Sequence, residues 1–152
     1  MSIEDEYSLL SRIDLFEYLE PLELKRLIFA SRRYQLNPGE YLFRQGDSSD
    51  TVFGILQGEF SILLQSNHGE INVEQEDQGA LLGELAAISG KPRSASVRAE
   101  TDCDVIGFER ELFLNTIVNN PQTALKMMKL LSDRLVNLDE YLTRLTDSQF
   151  VS

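Results

Sequence analysis

Two side chains of opposite charge stand nine residues apart in the stretch GELAAISGKPRSAS, which runs from Gly83 to Ser96. Glu84 and Arg93 cannot face one another on a single helix, where only residues three or four apart are neighbours, so the segment is read as bringing both around a third object. Between them, Gly83 and Gly90 bracket ELAAIS, which has room for a turn or two of helix. The start of such a helix leaves backbone N–H groups unpaired, here those around Leu85 and Ala86, and unpaired N–H groups attract an anion. Arg93 adds the charge and the planar donor fork that suit a phosphate. Glu84 is an acceptor beside an anion site, which makes no sense for phosphate and good sense for a hydroxyl such as a ribose offers. The small residues Ala86, Ala87, Ser94 and Ala95 let a ligand approach the backbone closely. One phosphate and one ribose describe a nucleotide.

Elements able to position this segment follow from periodicity. From Tyr7 to Ile28 the apolar residues Leu9, Leu10, Ile13, Leu22, Leu24, Leu27 and Ile28 recur at helical spacing around a break at Pro21, predicting two or more short helices. From Tyr34 to about Phe108, short runs are separated by NPGE, RQGDSSD, LQGE, SNHGE and DQGA. Turns every 8 to 12 residues or so predict a barrel or sandwich of antiparallel strands. In one of these strands Phe60, Ile62 and Leu64 alternate with Ser61 and Leu63, predicting one buried face. The helical period returns from Glu111 to Leu145, broken at Pro121, with Asn120 as the expected N-cap of a long last helix. No linker and no internal repeat interrupts this order, so residues 1–152 read as one domain: helices over about 1–33, strands over 34–110 with the special segment at 82–96, and helices over 111–146.

The last helix carries Met128, Leu131, Leu135, Leu138, Leu142 and Leu145, spaced 3, 4, 3, 4, 3 as in a heptad seam. Such a stripe either packs on the chain's own barrel or pairs with a second copy, and the first half of the helix can do one while the second half does the other.

Composition excludes several functions. The 14 Lys and Arg against 25 Asp and Glu give a net charge of -11, which repels nucleic-acid backbones and anionic lipid surfaces. No apolar run reaches the length of a membrane span, and the acidic start MSIEDEYSLL is unlike a secretory signal, so the expected location is cytoplasmic. With one cysteine, Cys103, and one histidine, His68, there is no disulfide and no cysteine or histidine metal cluster. Cys103 is read as a small residue packed in a strand and His68 as part of an Asn-His-Gly turn. A barrel dioxygenase would need several histidine ligands, so no enzyme and no cofactor is expected.

At the opening segment the sequence resembles the cyclic nucleotide-binding domain family, to which the catabolite activator protein, the regulatory subunit of protein kinase A and the cyclic nucleotide-gated channels belong. The family's phosphate-binding cassette has the form F/L-G-E-L/I-A-x(n)-R-A/S/T-A, and here it reads LGELAAISGKPRSASV with no departure. Nearly the whole chain takes part: LFEYLEPLELKRLIFAS resembles the helical entry, LNPGEYLFRQGDSSDTVFGILQGEFSILL the glycine-punctuated strands, and RAETDCDVIGFERELFLNTIVNNP the closing strand and hinge helix. The resemblance implies a mainly β fold with flanking helices, an antiparallel β-roll of the jelly-roll kind with a short phosphate-binding helix and C-terminal hinge and lid helices. It implies that Glu84 accepts the ribose 2′-hydroxyl proton and Arg93 pairs with the exocyclic phosphate oxygens. Gly83 and the N–H groups of Leu85 and Ala86 would cap the same phosphate, and Ser94 and Ala95 would complete the cradle. Arg134, Leu135, Leu138 and Asp139 on the last helix are the positions to cover the base. Ser94 is compatible with both cGMP and cAMP, and cAMP is favoured.

The expected function is thus a sensor of a cyclic nucleoside monophosphate that signals through its C-terminal helices to an unidentified effector protein, with a homodimer through the final helix as a further partner. The chain stops at Ser152 with no helix-turn-helix, and its initial methionine reads as a natural start rather than a cut from a larger channel or kinase. The alternative is an interaction module that keeps the fold, holds Glu84 and Arg93 as a mutual salt bridge and binds no nucleotide.

Overall fold

The computed structural model describes residues 7, 8 and 10–151, the last five by their backbone alone. Residues 1–6, most of the acidic start read against a targeting signal, and Leu9, one of the expected helical positions, lie outside the described residues. Tyr7, Ser8 and Leu10 are helical, and a 3-10 turn, Asp14–Tyr18, follows. Pro21 then opens helix α1, Pro21–Phe29, where the missing N–H of proline costs nothing. Glu23 accepts the N–H of Glu20 at 3.2 Å and fixes that start.

Eight strands follow among the described residues: β1 Arg32–Leu36, β2 Tyr41–Phe43, β3 Thr51–Gln57, β4 Phe60–Ser66, β5 Gly69–Glu76, β6 Leu81–Leu82, β7 Ser96–Ala99 and β8 Cys103–Glu109. They form two antiparallel sheets of four, in the orders β1-β8-β3-β6 and β2-β7-β4-β5. This is the antiparallel roll with flanking helices that the turn spacing and the resemblance predict. Helix α2, Glu84–Ser89, leaves β6 before the chain enters β7. Helices α3, Arg110–Val118, and α4, Pro121–Val151, close the chain.

Two apolar clusters hold these parts. Inside the roll, Phe53, Ile55, Phe60, Leu82, Val97 and Val105 pack together. Below it, Phe16, Leu27, Val52, Phe108, Phe113 and Met127 join the N-terminal helices, the sheet and the first turns of α4. Phe16 meets Phe108 edge to face at 5.6 Å between ring centres. Cys103 is buried at the start of β8, and exposed His68 lies in the β4–β5 turn, both as read from the sequence.

Strand β4 departs from the expected alternation. Ser61 and Leu63 are buried and Ile62 and Leu64 only half so, with Ile62 bordering a cavity. The register against β5 also slips between Ile62 and Leu63, which pair with Glu74 and Asn72.

Asn120 caps α4 as expected, its Oδ1 accepting the N–H of Thr123 at 3.0 Å. The face of α4 that meets the core carries Thr123, Met127, Leu130 and half-buried Leu131. The heptad seam looks elsewhere: Met128, Leu135, Leu138, Leu142 and Leu145 are 45% to 69% exposed. Packing of the whole stripe on the chain's own barrel is therefore overturned. At about 100° per residue the seam is rotated from the Thr123–Met127–Leu130 line, so it overlaps the packed face at Leu131 while most of it turns to solvent.

Candidate functional site

Helix α2 is fixed at both ends by glycine. Gly83 precedes it at φ 81° and Gly90 ends it at φ 72°, both in the left-handed region. The N–H of Ala87 bonds to the Gly83 carbonyl at 3.2 Å. Those ahead of it, Leu85 and Ala86 included, have no acceptor within the helix.

Arg93 lies against this start. Its Nη1 donates to the Gly83 carbonyl at 3.1 Å and its Nη2 to the Thr51 carbonyl at 2.7 Å. The guanidinium carbon stands 4.1 Å from the centre of the Phe43 ring, a cation–π stack. The loop before β3 holds the backbone, since Arg93 N–H donates to Asp47 at 2.8 Å and the Arg93 carbonyl accepts from Gly46 at 2.9 Å. Arg93 is 5% exposed, and its Nε is buried with no hydrogen-bond partner among the described residues. Burial pulls its pKa below the ordinary value, opposed by the charges of Asp50 and Asp47. Among the described residues no carboxylate forms an ion pair with it. The site thus holds an ionised guanidinium with spare donor capacity, which suits an incoming anion.

Glu84 is 2% exposed, and its Oε2 is likewise buried without a partner among the described residues. Its Oε1 pairs with Arg134 of α4. A mutual salt bridge between Glu84 and Arg93, the arrangement expected of an empty barrel, is therefore not formed. Gly83, Glu84, Leu85, Ala86, Arg93, Ser94 and Ala95 all line one cavity of about 170 Å³, whose far wall is Phe43, Ile62, Leu82 and Val97. Arg134 and Leu138, one helical turn apart, border it from α4. Leu135 and Asp139, expected with them, are exposed and take no part in the lining, being rotated about 100° away. A further cavity of about 250 Å³ shares Glu74, Arg134 and Leu138 and adds Asn137 and Tyr141, which sequence reasoning missed.

Also missed was Glu76, on the same side of the roll. Burial first, and then its neighbour Glu74, push its pKa from 4.5 up to about 7, although the charge of Arg134 opposes the shift. An acid whose folded value lies above its unfolded one stabilises the fold below pH 4.5 and loses that contribution as pH rises through 7. With the side chain 21% exposed, solvent screening reduces the effect to about 1–2 kcal/mol between pH 5 and 8. Urea melts of wild type and Glu76→Gln should diverge as pH rises, the variant becoming the more stable; parallel pH profiles would rule the shift out.

The family model of the cyclic nucleotide-binding domain matches residues 33–120, from the start of the first sheet through the cassette to the end of α3. The chain belongs to the cyclic nucleotide-binding domain family. Among solved members of this fold, the sensor domain of the transcriptional regulator DNR from Pseudomonas aeruginosa superposes with a TM-score of 0.77 at 26% identity, covering 88% of this chain and 90% of that one. The catabolite activator protein of Thermus thermophilus gives 0.74 at 28% identity, covering 87% and 62%. Lysophospholipase nte1 of Aspergillus terreus is 32% identical over 123 residues, 80% of this chain. The chain spans about 8% of the length of the curated relatives it matches. Among the described residues no helix is long and apolar enough to cross a membrane, and no group of three or more His, Cys, Asp or Glu could hold a metal ion.

Proposed function

We propose that this cyclic nucleotide-binding domain takes up one cyclic nucleoside monophosphate, cAMP in preference to cGMP, and passes the event through α4 to a partner protein. The observation that carries this reading is the pair of buried, unpartnered polar atoms around one cavity: Arg93 Nε, a donor for phosphate, and Glu84 Oε2, an acceptor for a ribose hydroxyl. A buried polar atom left unpaired costs about 1–3 kcal/mol, and a ligand bringing the complementary groups recovers it. The wall Phe43, Ile62, Leu82 and Val97 is apolar and suits a purine face. Ser94 lines the cavity and is compatible with either base, with cAMP the favoured reading. Titration calorimetry with cAMP and with cGMP tests the reading. One cAMP per chain with the tighter constant is expected, whereas no heat and no thermal shift with millimolar cAMP or cGMP would leave the cassette without its ligand.

The reading assigns the chain no catalysis of its own, no resident cofactor and no nucleic-acid partner, and it places the domain in the cytoplasm. Relatives named lysophospholipase make an enzyme one class of effector that fits. The exposed seam supports a homodimer through α4, and it equally favours the second reading, an interaction module that binds no nucleotide. Sedimentation of the wild type should show a dimer, and Leu135→Glu with Leu142→Glu should weaken it by more than about tenfold by setting like charges and lost apolar area at the seam. A wild type that stays monomeric at about 100 μM would sink the dimer.

A further inference from the structure

Strand β5 carries two carboxylates on its inner side. In the register against β4, Glu74 stands opposite Ile62 and Glu76 opposite Phe60. Directly opposed residues share a face of the sheet, and Phe60 belongs to the apolar cluster inside the roll, with Ile62 packed against it. Gln75, between the two acids, is on the other face and exposed. Glu74 and Glu76 thus occupy successive inward positions, where apolar residues are the rule. Glu74 joins two spaces: it lines the cassette cavity and also, with Glu76, a cavity of about 190 Å³ beneath α4. The charged groups around that second cavity are Glu84 from α2, Asp133 and Arg134 from α4 and Asp14 from the 3-10 turn, with Asp77 next along the chain. Arg134 is the one cation lining it among the described residues, 3.7 Å from Glu76, and it is already engaged by Glu84 and the Leu81 carbonyl. Carboxylates therefore outnumber positive charge, and two neighbouring acids in such a place do not both ionise readily. Burial first, and then Glu74, accordingly push the Glu76 pKa up to about 7.

We propose that the Glu74–Glu76 pair is a proton-linked regulator of the cassette cavity: a nucleotide filling the cavity draws a proton from solvent onto the pair, and the site binds more tightly as pH falls. This rests on the reading of the cavity as a cyclic-nucleotide site. Two effects act in the same direction. The nucleotide displaces water from the Glu74 carboxylate, and it brings a negative phosphate into a space of about 170 Å³ that Glu74 borders. Both disfavour the second negative charge of the pair. Binding therefore raises the pair's proton affinity above its value in the free domain. The gain in nucleotide affinity is fully present below that value and is lost as pH rises through the higher one. Because Glu76 starts at about 7, the change falls between about pH 6 and 8. The domain then responds to nucleotide and acidity together.

Calorimetry of the full chain with cAMP at pH 7, in HEPES and in Tris, tests this, because the two buffers differ in ionisation enthalpy and the difference in heat counts protons. Uptake of about 0.3–0.6 proton per cAMP is expected, with binding about three- to tenfold tighter at pH 6 than at pH 8. Glu76→Gln fixes the neutral form. It should take up no proton and should bind at pH 8 about as tightly as the wild type does at pH 6. Glu74→Gln relieves Glu76 of its neighbour, so its pH dependence should move to lower pH, and it carries the test if the first variant fails to fold. His68→Asn removes the chain's single histidine and should leave the proton count unchanged. A wild type that binds cAMP with one constant at pH 6 and pH 8, and with a heat independent of buffer, overturns the linkage and leaves the site standing. So does proton uptake that survives in both glutamine variants. If the wild type gives no heat with cAMP at either pH, the site reading fails and the linkage fails with it.

Discussion

Replacing Arg93 by alanine is expected to abolish cAMP binding at concentrations that saturate the wild-type chain. The guanidinium is the charge in the cassette cavity that no carboxylate among the described residues neutralises through an ion pair, and its Nε has no other use there. Removing one partner of a desolvated charge pair costs about 2–5 kcal/mol, roughly 30-fold to several thousand-fold in affinity. The same change leaves the Gly83 carbonyl without one of its two donors and the Thr51 carbonyl without the side chain that reaches it. That costs about 1–2 kcal/mol of stability, small enough for a folded variant to be titrated. Arg93→Lys separates charge from geometry: a point charge without the fork should bind more weakly than wild type and better than alanine. An Arg93→Ala protein that binds cAMP with the wild-type constant would remove Arg93 from the site.

How much of this was legible in the sequence depends on the distance over which each interaction acts. The cassette is local: the two glycines that end α2, the helix between them and the spacing to Arg93 all lie within Gly83–Arg93, so residue types alone point to a phosphate and a hydroxyl. Asn120 and Pro121 are local too, and they mark the start of α4 correctly. The partners that give Glu84 and Arg93 their state are not local. Phe43 lies 50 residues before Arg93 and Arg134 lies 50 after Glu84, and either contact exists only because β2 pairs with β7 and α4 crosses the roll. The resemblance points to Arg134 as a position to cover the base, and no local pattern pairs it with Glu84. Apolar periodicity has the same blind spot. It found the stripe on α4 and could not tell whether the roll or solvent faces it, since both Met127 and Met128 fit a helical repeat.

The long-range contacts also decide which free energy the ligand can use. Arg93 is already oriented by two carbonyls and an aromatic ring, so on the proposed reading a phosphate demands little further ordering of it. Glu84 is tied to α4 instead, its Oε1 paired with Arg134 while its Oε2 has no partner among the described residues. On the proposed reading, Arg93 supplies the charge for the phosphate and Glu84 the link between the cassette and α4. Loss of Arg93 should therefore cost the larger share of the affinity.

The glycine ahead of α2 ties this division to the backbone, and Gly83→Ala is expected to lose both stability and ligand. At φ 81° an alanine sits in the left-handed region, which costs about 1–2 kcal/mol for a residue with a Cβ. That Cβ would stand 2.2 Å from Arg93 Nη1 and 3.4 Å from the Phe43 ring. The ring contact is ordinary and the first is not, so the guanidinium must leave the Gly83 carbonyl and slide off Phe43. The displaced arginine is then no longer aimed at the α2 N-terminus, and with a misplaced charge the affinity for cAMP should fall by more than about tenfold. Ala86→Gly is the matched control, since it loosens the same helix by about 1 kcal/mol and leaves Arg93 where it is. Melting and calorimetry on both variants distinguish the two causes. If Gly83→Ala and Ala86→Gly lose equal stability and equal affinity, α2 matters only as a folded helix. If Gly83→Ala alone loses the nucleotide, the residue without a side chain is what holds the arginine in register with the phosphate.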